Sequence, residues 1–430
     1  MFSRSAAALA LACLMALACA ANAGAKPIKP TKPKPRKTVL VVRSDAQFVA
    51  AVRYFRHSGG KIVLRPHLYR WLIVGKRSRR PLRIVGMRGV RVEHALFWGA
   101  RNVSFGRVTI APIRGDARVT VRGSRDIVLH DLVVTARGTR RSASILVARA
   151  HGVTIRQSNF MHCGDRARAF TNCVTLYRWS HRVLIEDNRF HDCLGCDFIH
   201  GRFGTHLTIR RNSFDRSLPC HLNTYRCGHQ DLVQLFAGRH LRIAGNRFGV
   251  YKNGGAQLYL TNNVDYATVV NNVFAATDPR LPAYRAHMGI VVGSNASRRL
   301  PHYAKIVNNT ILSGALRRDG YAGSIRMSSR YGSVPRWMRP IVANNVIALL
   351  EMPARVCNGS QRFIANVVVR GYTCSGADLT GSPDLDGRGR PRSTSAVIDS
   401  ANAHYAPTLD ATGHRRIGRP DIGAFEYERG

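Results

Sequence analysis

Apolar and polar positions alternate along this chain in short runs, and the runs end alike. An apolar residue is followed by two or three polar ones, an Asn and another apolar residue. The phrase reads Ile155-Arg-Gln-Ser-Asn159-Phe160, Ile185-Glu-Asp-Asn188-Arg-Phe190, Ile209-Arg-Arg-Asn212-Ser-Phe214 and Ile243-Ala-Gly-Asn246-Arg-Phe248. It returns around Asn272, Asn309, Asn345 and Asn366, with gaps between successive asparagines of 29, 24, 34, 26, 37, 36 and 21 residues. Self-similarity at this period predicts a solenoid whose repeat cannot bury its apolar face alone. Stacked coil on coil, the asparagines would form an internal ladder, each placed where the chain turns, because Asn tolerates left-handed backbone and bonds locally. Strand-like runs at Leu82–Val85, Val103–Ile110, Val119–Val121, Ile127–Val134 and Ile145–Val147 precede the phrase. Before them, Ser44-Asp-Ala-Gln47 reads as a capping box opening a helix with Phe48, Val49, Val52 and Phe55 on one face, ended by Ser58-Gly-Gly60. Such a helix would cover the open first coil. The chain closes on Pro420-Asp-Ile-Gly-Ala-Phe-Glu-Tyr427, an apolar-aromatic tail.

Composition adds a partner class. Lys and Arg number 66 against 24 Asp and Glu, a formal charge of +42, which favours polyanions. The arginines are spread over the whole length with no lone basic stripe and no nucleic-acid-reading motif, so nucleic acid is not the expected partner.

The first residues give a compartment. Arg4 precedes an apolar run from Ala6 to Ala21, and Ala21-Asn22-Ala23 has the small-x-small form of a cleavage site, so residues 1–23 read as a secretory signal. Lipoprotein anchoring would use Cys19, but the residue three before it is Ala16 rather than a larger aliphatic. Residues 24–37 alternate Lys and Pro, a stiff basic spacer, and residues 38–430 form the solenoid domain. The expected location is extracellular or periplasmic, with no transmembrane segment and a monomeric state. Eight cysteines follow the leader: Cys163, Cys173, Cys193, Cys196, Cys220, Cys227, Cys357 and Cys374. Proximity suggests disulfides 163–173, 193–196, 220–227 and 357–374. The rival zinc reading of Cys193-Leu-Gly-Cys196 lacks a second ligand pair.

The Asn phrases, the amphipathic cap and the closing Asp-Ile-Gly-Ala-Phe-Glu-Tyr together resemble the exported right-handed parallel β-helix proteins. That superfamily holds pectate lyases, polygalacturonases, alginate lyases and mannuronan epimerases. The resemblance spans roughly Val39 to Tyr427 and implies an all-β parallel β-helix solenoid with an N-terminal amphipathic helix cap. It does not fix the activity, since one fold hosts many functions. The Asp-Asp, Gly-His-Gly and Arg-x-Lys signatures of polygalacturonases are absent, and so is the epimerases' Asp-Pro-His-Glu, the one Asp-Pro being Asp278-Pro279.

Counting back fifteen residues from three successive asparagines aligns Asp197, Asp231 and Gln257, with His200 and Gln234 in a second column. Stacked carboxylates can raise a pKa, hold a cation or flank a glycosidic bond. Imidazoles and arginines beside them suit proton abstraction from a uronate. The candidate catalytic residues are therefore Asp197, His200, Arg202, His229 and Asp231. The candidate substrate-binding residues are Gln234, Gln257, Tyr259, His287 and Tyr225. Calcium is the candidate cofactor, because the resemblance includes calcium-dependent lyases and Asp197 with Asp231 is the best carboxylate cluster available. The competing view makes Asp197 and Asp231 turn residues that bond backbone amides, with His200 and Gln234 merely pointing outward. The expected function is action on an acidic polysaccharide by β-elimination, a lyase ahead of a hydrolase or epimerase. The alternative is a non-catalytic carbohydrate-binding or cell-envelope protein.

Overall fold

The computed structural model describes residues 37–428 except 77–79, 114, 138–141, 164–171, 178, 195, 216, 219–230, 250–254, 276–287, 294–298, 313–323 and 351–355. The solenoid is a contact unit of its own from Thr38 to Gly430. It is a right-handed parallel β-helix in which the chain visits three parallel sheets in turn. The first sheet runs from Leu68–Val74 through Arg91–Trp98, Ala117–Arg122, Ala143–Ala148, Val174–Tyr177 and Ile199–Gly201. It ends in Met288–Gly293 and Ile325–Met327. The second contains Gly60–Leu64, Arg125–His130, His181–Glu186 and Thr205–Arg210, and the third Asn159–Met161, Arg189–His191 and Ser213–Phe214. Val233–Ala244 and Ala256–Val270 each run unbroken from the first sheet into the second.

The helix forms at Asp45–Tyr54. Ser44 Oγ accepts the Gln47 N–H at 3.2 Å, and Gln47 Oε1 in return accepts the N–H of Arg43 at 2.7 Å. Phe48, Ala51 and Phe55 are buried against the first coils, whereas Val49, expected on that face, lies in solvent.

The ladder is real, and it starts one residue earlier than expected. Ser158 N–H bonds Asn188 Oδ1 at 3.0 Å; the same bond then links Asn188 to Asn212 and so on through Asn246, Asn272, Asn309, Asn345 and Asn366. Asp378 Oδ1 terminates it at 3.0 Å from the Asn366 N–H. Each amide also donates to a carbonyl of the preceding coil, as Asn272 does to Ile243 O at 2.9 Å. Asn159 is not a rung; its Oδ1 meets His191 Nε2 on the outside at 2.9 Å. Nor do the rungs themselves turn the chain. The left-handed residue is the one before each: Asp187, Arg211, Gly245, Asn271, Asn308, Asn344 and Ala365 all have positive φ. That geometry swings the following Asn inward, where its amide replaces the inter-coil backbone bonds that the corner cannot make. Two residues beyond, Phe160, Phe190, Phe214, Phe248 and Phe274 stack inside with centroids 4.5–5.0 Å apart.

The C-terminal segment does not simply close the far end. It runs back over the outside of the later coils, Tyr405 covering Val270, Val307 and Ala343, and Val397, Ala401 and Ile422 covering Val346 and Val367. The left-handed asparagines hold it: Asn271 Nδ2 donates to Leu409 O at 2.6 Å, Asn308 to Asp421 O at 3.0 Å and Asn344 to Asn402 O at 2.9 Å. Two hairpins of one build sit in this strap, Leu385-Asp-Gly-Arg-Gly-Arg-Pro391 and Leu409-Asp-Ala-Thr-Gly-His-Arg415. In each, the Asp Oδ1 accepts the N–H groups two and four residues on, at 2.8–3.0 Å. Arg416 is buried between strap and coil, bonding Asn271 Oδ1 at 3.2 Å and Glu426 at 3.0 Å.

Candidate active site

Three of the four expected disulfides are present, Cys163–Cys173, Cys193–Cys196 and Cys357–Cys374. Cys220 and Cys227 lie outside the described residues, as do Tyr225, His229 and His287.

Asp197 and Asp231 occupy one register position of the first sheet, because Ile199 pairs with Val233. Both are buried, at 7% and 1% exposure, and they build a short second ladder at the strand starts. Asn172 Oδ1 accepts the Asp197 N–H at 3.3 Å, Asp197 Oδ1 accepts the Asp231 N–H at 2.8 Å, and Asp231 Oδ1 accepts the Ala256 N–H at 2.6 Å. For Asp231 this is the structural role of a turn residue.

Asp197 does more. Its second oxygen meets His200 Nδ1 at 2.6 Å, and His200 points outward with its side chain about a quarter exposed. An ionised carboxylate holds the proton on Nδ1, so Nε2 keeps its lone pair. Gly201 makes this local geometry possible: its φ is +134°, and a Cβ there would stand 2.0 Å from Leu176 O. His200 meets the Phe236 ring edge to face at 5.0 Å, and the Arg202 guanidinium lies 5.1 Å from the same ring centroid. Thr175, His200, Gln234 and Tyr259 form one outward column, coil by coil. Burial raises the Tyr259 phenol pKa, the Thr261 hydrogen bond opposes this, Asp231 adds to it and Arg326 opposes it. Tyr259 therefore stays a neutral O–H donor at neutral pH.

Gln257 is not in the site. Asp231 stands level with Ala256, and Gln257 points into the coil, where Nε2 donates to Gly249 O at 2.8 Å. The fifteen-residue count fails at a bulge, where Asn262 and Asn263 oppose the single residue Ala237 and all three have positive φ. One inserted residue flips every side chain upstream to the other face. Phe236, Arg326 and Asn172 also border the site, and no motif or spacing singles them out: Phe236 meets His200 and Arg202, Asn172 bonds Asp197, and Arg326 continues the Tyr259 column two strands on.

The carboxylates do not fit calcium. Asp197 accepts hydrogen bonds on both oxygens and Asp231 on at least one, and the donors stand where a cation would. Among the described residues the one close grouping of potential metal ligands is Cys173, Cys193 and Cys196, all in disulfides.

Among solved structures, the chain is similar to PfbA, a surface adhesin of Streptococcus pneumoniae, at 10% identity and TM-score 0.47, covering 75% of this chain and 80% of that one. It is also similar to pectate lyase Pel9A, at 12% and 0.45, covering 89% and 91%, and to the PL6 family alginate lyase AlyGC, at 13% and 0.41, covering 86% and 59%. A comparison with curated proteins finds no match. The family model described as "Right handed beta helix region" matches residues 93–331, more than half of the chain, so this protein belongs to the right-handed β-helix family.

Proposed function

We propose that the protein binds an acidic polysaccharide along the outward face of its first sheet and cleaves it by β-elimination. The observation that carries this reading is the Asp197–His200 pair at 2.6 Å, an oriented imidazole on an outer face flanked by Arg202. In this mechanism Arg202 binds the uronate carboxylate and lowers the cost of charge building on it. His200 Nε2 removes the proton on the carbon next to that carboxylate. The electron pair left behind forms the ring double bond as the glycosidic C–O bond breaks; the departing oxygen takes a proton from water, and the His200 imidazolium then releases the abstracted proton to solvent. Asp197 positions His200 and steadies the imidazolium. Gln234 and Tyr259 contact neighbouring sugars. Asp231 is assigned to the backbone and not to the chemistry. The chain acts outside the cytoplasm in this reading, after loss of residues 1–23, which suits its disulfides. Among the described residues no helix is long and apolar enough to cross a membrane.

The test is product mass. Elimination leaves a new end one water lighter than hydrolysis would. Oligouronates cut to hydrated ends would replace the lyase with a hydrolase. Binding of polyuronate with no cut product would leave the non-catalytic carbohydrate-binding protein.

A further inference from the structure

All four tryptophans of the chain lie on the surface: Trp71 is 48% exposed, Trp98 52%, Trp179 65% and Trp337 59%. Tryptophan has the most apolar area to hide and is ordinarily well covered, so an exposed set marks a surface that binds something. Three of the four belong to the N-terminal half of the first sheet. Trp71 and Trp98 stand on its strands, Trp71 stacked on His94 at 4.1 Å, and Trp179 follows Val174–Tyr177 in the next turn. Tyr177, 47% exposed, is in the same outward column as Trp98, three coils on. Arg202 comes one coil further, beside His200.

The charge on this face is one-sided. Among the described residues, the outward positions of the first-sheet strands from Trp71 to Arg326 carry no Asp or Glu; the carboxylates nearby, Glu93 and Asp116, lie at the strand starts, Glu93 buried and 3.9 Å from Arg70 and Asp116 accepting the Ser142 N–H. The outward positions carry Arg118 and Arg122, both exposed, in the coil after Trp98. Aromatic faces take the C–H side of a pyranose, and guanidinium forks take its carboxylate. At about 4.8 Å per coil, Trp98 and Tyr177 are roughly 14 Å apart and Trp98 is about 19 Å from Arg202. That span suits a chain of several sugars and is too long for one.

We infer that Trp98, Tyr177 and Trp179, with Arg118 and Arg122 between them, form an extended platform for a uronate-containing polysaccharide lying along the solenoid axis and leading to His200. This inference rests on the proposed function for its ligand class. It adds that affinity is gathered several coils N-terminal of the reacting sugar, so binding strengthens with chain length.

The test uses the mature full-length protein with Trp98→Ala and Tyr177→Ala, titrated by intrinsic fluorescence with polygalacturonate, alginate and short oligomers of each. Wild type should bind polymer more tightly than oligomer. Each variant should lose about tenfold or more of polymer affinity and flatten that dependence on length, with its melting curve intact because both side chains are exposed. If both variants bind polymer like wild type while Arg202→Ala does not, the platform is wrong and the proposed function stands. If wild type ignores polyuronates but binds a neutral glucan through Trp98, the uronate ligand falls together with the proposed function. Absence of binding to either polymer overturns both.

Discussion

Asp197 has two jobs, on two oxygens, and substitution can separate them. Asp197→Ala removes both. The Asp231 N–H, in a residue 1% exposed, loses its acceptor, which costs about 1–3 kcal/mol; His200 loses a charged partner, but its ring is exposed enough for water to replace part of it. Asp197→Asn behaves differently. Its one carbonyl oxygen can still accept the Asp231 N–H, so the fold loses little. Its NH2 then faces His200 Nδ1 at the former 2.6 Å position and must find a lone pair there, which moves the imidazole proton to Nε2. The base is then blocked on its working side. By analogy with carboxylate-oriented histidines elsewhere, turnover should fall by about 10²–10⁴. The assay is a pair of curves for each variant, urea unfolding and unsaturated-end formation. The expected pattern is Ala destabilised and inactive, Asn nearly as stable as wild type and inactive. An Asn variant with wild-type turnover would refute the assignment of His200 as a base oriented by Asp197.

Other consequences are independent of catalysis. Asn272→Ala leaves the buried Asn246 N–H without its acceptor and takes one donor from the Ile243 carbonyl, so urea unfolding should show a loss of about 1–3 kcal/mol; no measurable loss would mean the ladder is ornamental. Arg416→Met leaves Glu426 buried without its cation and should cost about 3–5 kcal/mol locally, releasing the strap to limited proteolysis within residues 384–428 at unchanged secondary structure. Cleavage no faster than in wild type would show that the strap does not depend on it. The hydrogen bond from Arg211 is the main reason Asp187 lies below the ordinary carboxylate range. That depressed value stabilises the fold above the ordinary Asp pKa, and the stabilisation disappears as pH falls through the lowered one; with both groups over a third exposed it is small. Arg211→Ala should return the Asp187 titration upward by NMR.

Much of the architecture was legible because repetition is a strong signal. Seven of the eight phrase asparagines are rungs, and the helix cap and three disulfides fall where composition and spacing put them. The failures have two causes: spacing is blind to the bulge that displaces Gln257, and residue type misleads at Asn159, where Ile155 and Phe160 stand level with Ile185 and Phe190 and put Ser158 beside Asn188. Gln257 and Asn159 were each placed one residue out, and with a side-chain period of two that reverses inside and outside. The strap leaves one local trace, the pattern Leu-Asp-x-x-Gly repeated 24 residues apart at Leu385 and Leu409. What that pattern covers depends on Asn271, Asn308 and Asn344, more than a hundred residues earlier for the first two, and no local reading joins them. The site was half legible. Asp197 and His200 do meet, but nothing in their spacing tells which carboxylate serves the imidazole and which the backbone.

One measurement tests the central claim most directly: ultraviolet absorbance of unsaturated uronate ends, from mature wild type and His200→Gln, on polygalacturonate, alginate and glycosaminoglycans. The account predicts a steady rise on at least one polymer for wild type and none for the variant. A rise of equal rate from both proteins, or from neither, would contradict it.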